Sequence, residues 1–320
     1  MDVNAPRVDL TGRCAVVTGA GHGLGRAFAL DLAARGAAVV VDDVGTADDG
    51  TASAESVAAE IRAAGGTAVA VTASVAEPAG AEEIAATAVE RFGRIDALVN
   101  NAGLVHRQPL AEYELERLDA LLAVNLRGTL LTTRAALPAM LAAGYGRIVT
   151  IASGAGYLGL AGQAVYGATK SAAIGLTRAV AAEGGGRGVL ANAVLPWAVT
   201  NPGRTRLDWP AEDLAAVAPR AGAEWVTPLV TYLSSPACAG GGESYSALGG
   251  RYARVAVAVG EGWLAPGSGP PAPGDLAVAF ADVERLDGAA HPPSFEAELA
   301  AVAERLRRAG GLDANVRSPT

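Results

Sequence analysis

The chain of 320 residues contains a single lysine, Lys170, and only two cysteines, Cys14 and Cys238. Two cysteines cannot build a disulfide framework, and without a CxxC or Cys/His spacing no metal site is expected. Cys14 opens an apolar run, where a buried and inert thiol is expected. No window reaches the roughly 18 uninterrupted apolar residues of a membrane span, although 51% of the residues are hydrophobic and the mean hydropathy is +0.27. The opening "MDVNAPRVDL" lacks the basic and apolar regions of a signal peptide, so a reduced, cytoplasmic protein is expected. A formal net charge of -8 argues against nucleic acid as a partner, and no membrane partner is expected. With one lysine, nearly every cation is arginine; in an alanine-rich sequence this reflects codon usage more than binding.

What is present is alternation. Apolar runs at 14–19, 37–43, 67–73, 95–101, 146–153 and 189–196 are separated by helical patterns at 23–35, 53–64, 79–92, 111–143 and 165–183. The runs are solidly Val, Ile, Leu and Ala without polar alternation, as in strands buried on both faces. Leu24, Phe28 and Leu32 form one helical stripe, and Ile84, Ala88 and Phe92 form another. Strand–helix repetition with short links predicts a doubly wound α/β fold, a single parallel sheet with helices on both faces. Its ligand crevice lies beyond the carboxyl ends of the strands. The Pro/Gly-rich stretch 265–275 reads as a link to a C-terminal helical tail at 276–320.

"TGAGHGLG", residues 18–25, follows the first strand and opens the first helix, the setting of a dinucleotide fingerprint. Gly19 suits the sharp turn, Gly23 a close approach to a pyrophosphate, and Gly25 close helix–strand packing. The helix N-terminus, with free N–H groups, then faces the phosphates. The second strand ends in Asp42 and Asp43, and either carboxylate could hold a ribose. A carboxylate there repels a 2′-phosphate, so NAD is favoured over NADP; His22 and Arg26 in the turn weigh the other way.

"YGATK" places Tyr166 and Lys170 four apart at the head of a helix, on one side of it. Ser153 ends the fifth strand, "NNAG" (100–103) ends the fourth, and Asn125 lies on the long helix between them. Hydride transfer between an alcohol and a nicotinamide needs an acid/base for the hydroxyl proton. A free tyrosine, with a pKa of about 10, needs help to serve. An ammonium nearby favours the phenolate. Tyr166 is therefore the expected acid/base, Lys170 its tuner, Ser153 the partner of the substrate oxygen, and Asn125 a residue that positions a relay water.

With these residues in this order, the chain resembles the short-chain dehydrogenase/reductase family over residues 10 to 260. "GHGLGRAFALDLAARGAAVVVDDVG", "FGRIDALVNNAG", "YGRIVTIASGAGYLGLAGQAVYGATK" and "GGRYARVAVAVGEGW" resemble the (3R)-hydroxyacyl-CoA dehydrogenase domains of multifunctional beta-oxidation enzymes. The resemblance implies a Rossmann-type NAD-binding catalytic domain at 1–264, with a substrate lid near 197–228. It implies a cofactor lying against Gly19, His22, Gly23, Leu24 and Gly25, then Asp43, Ser74 and Val75. Further along, the cofactor meets Asn101, Ala102, Gly103, Tyr166, Lys170, Pro196, Val199 and Thr200. It also implies a homodimer or homotetramer assembled through the long helices.

Departures from the pattern are visible. The usual Pro-Gly after the sixth strand reads "PWAVTN", with Trp197 in the place of glycine. The hydroxyl contact to the carboxamide then falls on Thr200 or is replaced by Asn201. Ser74 stands where an aspartate commonly meets the adenine. Trp197, Trp209 and Trp225 either line the substrate site or pack locally, and Arg204, Arg206 and Arg220 either meet coenzyme A phosphates or are solvated. The expected substrate is a 3-hydroxyacyl thioester. The alternatives are a steroid or polyketide ketone, or a redox-neutral or non-catalytic NAD-binding role.

Overall fold

A computed structural model describes residues 8–199, 210–267 and 269–309. Each apolar run becomes a strand, and every helical pattern except 111–143 becomes a single helix. In chain order these are β1 (Cys14–Thr18), α1 (Gly23–Ala34), β2 (Ala38–Asp42), α2 (Ser53–Ala63), β3 (Thr67–Val71), α3 (Pro78–Phe92) and β4 (Ala97–Asn100). There follow α4 (Leu115–Leu121), α5 (Thr129–Ala143), β5 (Gly146–Ile151), α6 (Ala155–Leu158), α7 (Ala164–Gly184) and β6 (Val189–Trp197). α8 (Ala211–Val217), α9 (Thr227–Leu233), β7 (Ser244–Leu248) and β8 (Arg251–Val255) complete this part.

The strands form one eight-stranded sheet in the order β3-β2-β1-β4-β5-β6-β7-β8, parallel throughout except for β8 against β7. Strand order reverses between β1 and β4, which opens a crevice at their carboxyl ends. β1, β4 and β5 are buried along their whole length because both faces are covered. Ala15, Val17, Val39 and Val41 pack with Phe28, Leu32, Ile61 and Val230 on one face. Val16, Val40, Leu98 and Ile148 pack with Ile84, Ala88 and Met140 on the other. Cys14 is fully buried, and burial pushes its thiol up to about 12, so the thiol stays protonated.

The helix expected over 111–143 is not continuous. A 3-10 turn at Leu110–Glu112 is followed by extended backbone at Tyr113 and Glu114, and α4 and α5 are joined by a π-helical turn, Leu122–Gly128. Such turns insert one extra residue into a helix and concentrate at functional sites; Asn125 sits in this one. β7, whose Ser-rich sequence lacks an apolar run, was not anticipated as a strand.

Contacts divide the chain into units 1–255 and 256–320, so residues 256–264 group with the tail and not with the sheet. In the second unit, α10 (Pro273–Val283) begins inside the stretch read as a linker, and α11 (Phe295–Arg308) follows. Ser294 caps α11 by accepting the Ala297 N–H. Glu296 and Glu298 stand in its first turn and Arg305, Arg307 and Arg308 in its last, each sign where the helix dipole favours it. No described helix is long and apolar enough to cross a membrane.

Candidate active site

The glycine turn is tight, and the backbone of β4 crowds it. Gly19 has φ +62°, and a Cβ there would lie 2.7 Å from the Ala102 Cα. A Cβ on Gly25 would meet the Gly19 carbonyl oxygen at 2.2 Å. Asn101 stitches this arrangement: its amide donates to the carbonyls of Thr18 (3.0 Å) and Gly19 (2.9 Å), while Thr18 Oγ1 accepts from the N–H groups of Asn101 and Ala102. Asn101 thus spends its amide on β1, and Thr18, to which the sequence reading gave no role, is its counterpart. α1 begins at Gly23 without a side-chain cap, leaving its first N–H groups open to an anion. His22 is the N-cap position, and Leu24 is half-buried beside it.

The two aspartates divide. Asp43 clasps two loops: its Oδ2 accepts the Gly21 N–H at 2.8 Å and its Oδ1 the Gly45 N–H at 2.7 Å, with His22 Nδ1 3.4 Å away. Asp42 turns inward, 2% exposed, beside the Ala73 N–H. Arg26 is held by Glu60 in a two-oxygen contact and so is committed away from a phosphate. Ser74 uses its hydroxyl locally, accepting from the Ala76 N–H, and Val75 packs under Gly128 of the π-helical turn.

At the carboxyl end of β5, α6 is pressed onto the head of α7. A Cβ on Gly156 would lie 2.8 Å from the Ser171 nitrogen, and one on Gly167 2.9 Å from the Ala155 oxygen, so only glycine lets the two segments close. That closure sets the Ser153 hydroxyl beside the Tyr166 phenol. Lys170, one turn along, is 6% exposed; its ammonium donates to the Ile151 carbonyl at 2.7 Å and lies 5.7 Å from the Tyr166 ring centre. Burial pushes that ammonium down to about 8. Burial also holds the Tyr166 phenol above its ordinary value, opposed by the Ser153 hydroxyl. In the protein alone, then, the phenol is kept protonated, and the lysine does not by itself produce the expected lowering.

Asn125 is 1% exposed and fully engaged. Its Oδ1 accepts the Leu104 N–H at 2.7 Å, and its Nδ2 donates to the Leu104 carbonyl at 2.9 Å and to Thr169 Oγ1 at 3.3 Å. Its own carbonyl accepts from Thr129 Oγ1. Its side chain is therefore a clamp between the β4 loop and α7. Gly103, inside that loop, would place a Cβ 3.5 Å from Lys170 Nζ. The open α1 terminus, the Asp43 clasp and the bare Gly103 backbone beside Lys170 form one track across the crevice, which fits an extended dinucleotide.

On the far side, Pro196 and Trp197 end β6, and the Val199 N–H donates to the Ala221 carbonyl. Arg220 stacks on Trp225 at 5.1 Å, and Tyr252 Oη donates to the Trp225 carbonyl, which makes Trp225 a packing residue of the β7–β8 turn. Thr200, Asn201, Arg204, Arg206 and Trp209 lie outside the described residues.

Known proteins are similar to this chain along most of its length. A hydroxyacyl-CoA dehydrogenase of Mycobacterium tuberculosis is 40% identical over 247 residues, covering 72% of this chain and 75% of that protein. The peroxisomal multifunctional enzyme type 2 of Mus musculus is 39% identical over 257 residues, 79% of this chain but 32% of that enzyme. A crystal structure of a short chain dehydrogenase from Mycobacterium avium matches with a TM-score of 0.74 at 38% identity, covering 89% of this chain and 98% of that one. Residues 13–209 match the family described as short chain dehydrogenase, and with the Ser153–Tyr166–Lys170 arrangement at the strand ends, the chain belongs to the short-chain dehydrogenase/reductase family of NAD(P)-dependent enzymes.

Proposed function

We propose that the protein interconverts 3-hydroxyacyl and 3-oxoacyl thioesters with NAD(H) as cofactor. The observation that carries the chemistry is the juxtaposition of Ser153 and Tyr166, with Lys170 buried one turn behind and held by the Ile151 carbonyl. The substrate class is supported by the hydroxyacyl-CoA dehydrogenase and multifunctional enzymes among the relatives.

The bound nicotinamide supplies the hydride acceptor or donor and, when oxidised, a positive charge near Tyr166. Ser153 holds the substrate oxygen by hydrogen bond and stabilises charge developing on it. Tyr166 Oη takes the alcohol proton in oxidation and returns it in reduction. Lys170, held by Ile151, offers its remaining N–H groups to the nicotinamide ribose. Asn125 keeps Gly103 and Leu104 in register with these groups. Asp43 stands at the glycine turn where a ribose hydroxyl pair binds, and its charge disfavours a 2′-phosphate, which supports NAD over NADP. Exposed Leu115, Leu122 and Leu130 on and beside α4 and α5 support assembly as a homodimer or homotetramer.

The test is NADH absorbance against 3-hydroxyacyl thioesters, hydroxysteroids and simple secondary alcohols, each with NAD and with NADP. Turnover of the thioesters with NAD is the expected result. Turnover confined to hydroxysteroids, or formation of product without net NADH change, would overturn the reading.

A further inference from the structure

Asp42 ends β2 one residue before the carboxylate that clasps the glycine turn, and the proposed chemistry does not use it. It is 2% exposed, lies beside the Ala73 N–H, and its Oδ1 has no hydrogen-bond partner in the protein. The residues in register beside it, Thr18 on β1 and Val71 on β3, carry no charge. The ionised groups acting on it are both negative: Asp43 on its own strand and Glu83 on α3. Basic side chains on neighbouring elements are engaged elsewhere. His22 leans on Asp43, Arg26 of α1 pairs with Glu60, and Arg127 of the π-helical turn donates to the Ala76 carbonyl. A buried carboxyl with one open oxygen and only negative neighbours keeps its proton, and burial pushes it up to about 8.

The position matters more than the proton alone. Through Asp43 the strand end reaches the Gly21 and Gly45 N–H groups, and Asp42 lies beside Ala73, the neighbour of Ser74 and Val75. Both loops border the end of the crevice assigned to the adenosine. Ionised Asp42 would add a second buried negative charge one residue from Asp43, at the strand end that borders the crevice, and so disfavour an anionic cofactor. Resting on the dinucleotide reading above, we propose that Asp42 is a proton site coupled to cofactor binding, whose protonated form binds NAD(H) and whose ionised form releases it. By linkage, binding in the pH range where Asp42 titrates draws a proton from solvent.

The experiment measures NADH affinity by tryptophan-to-NADH energy transfer from pH 6 to 9.5, for the wild-type protein and Asp42→Asn. Calorimetry in two buffers of different ionisation enthalpy counts the protons taken up. In the wild type, the dissociation constant is expected to rise above pH 8, approaching about tenfold per pH unit, with uptake of up to about one proton. Lys170 titrates in the same range in both proteins, so the difference between them isolates Asp42. In Asp42→Asn that difference should appear as a flatter profile and a smaller proton count. Equal profiles and equal counts overturn the proposal. If Asp42→Asn fails to fold, wild-type calorimetry with ADP, which does not reach Lys170, decides: uptake at pH 8.5 supports the coupling and zero uptake overturns it. Absence of NADH binding at every pH in a folded wild-type protein would remove the dinucleotide reading and the proposal with it.

Discussion

The Lys170 ammonium donates to the carbonyl oxygen of Ile151 at 2.7 Å and lies 5.7 Å from the centre of the Tyr166 ring. The lysine therefore acts on the phenol across a gap, while the Ser153 hydroxyl favours its ionisation from beside it. Tyr166→Phe keeps the ring and removes the proton carrier. Turnover is expected to fall by about 10²–10⁴-fold, the usual worth of a positioned acid/base. NADH affinity should stay within a factor of about two, a change of roughly 0.4 kcal/mol. Parallel kcat and NADH-binding measurements check this, and an equal loss in both would remove the assigned role.

Lys170 also sets a pH dependence of stability. Its ordinary value of 10.5 is lowered to about 8 by burial. The penalty of burying the charge is complete below pH 8, and it is relieved as pH rises from 8 to 10.5. Lys170→Met should therefore unfold at higher urea than the wild type at pH 7, by on the order of 2 kcal/mol after loss of the Ile151 bond. That margin should shrink toward pH 10.5 while activity is absent throughout. A margin independent of pH would show that the charge is not what burial penalises.

Asn125→Ala leaves both backbone groups of Leu104 and the Thr169 hydroxyl without their partner. A cost of about 1–3 kcal/mol is expected, and kcat should drop because Gly103 is no longer held beside Lys170. Asn125→Asp keeps the acceptor for the Leu104 N–H but turns a carboxylate oxygen on the Leu104 carbonyl at a buried site, so it should recover no stability over Asn125→Ala. Thermal melts and kcat for the two variants, compared side by side, test the clamp.

Asp43→Ala removes the charge at the glycine turn along with two backbone hydrogen bonds. The ratio of kcat/KM for NAD to that for NADP should fall by about tenfold, equivalent to 1.4 kcal/mol. An unchanged ratio would place the discrimination at another residue.

Most of the sheet could be read from sequence because β1, β2, β4 and β5 are covered on both faces and so are written as unbroken apolar runs. β7 could not: Ser244 and Ala247 face inward while Tyr245 and Ser246 are half-buried, so "SYSAL" carries no run to notice. Ser153, Tyr166, Lys170 and Asn125, the proposed catalytic set, were visible because of their order and spacing along the chain. Their partners were not. Thr18 reads as the first letter of a glycine turn, and only the fold shows its hydroxyl receiving two N–H groups from β4. Nor does a sequence reveal that Asp42 points inward and Asp43 toward the turn, since neighbouring residues of a strand differ only in face. The upward shift of the Tyr166 phenol comes from desolvation, a property of what surrounds the ring.

The π-helical turn at Leu122–Gly128 sets the phase of everything after it. One residue advances a helix by about 100°, and beyond the turn Thr129, Thr132, Ala136 and Met140 form the row that meets the sheet. Within it, Asn125 points at Leu104 and Thr169. Deleting any one residue between these positions would do more than shorten the helix. It would swing either the amide off the crevice or the inward row of α5 off Asn100 and Ile148. Catalytic alignment and core packing are thus geared together through a single surplus residue.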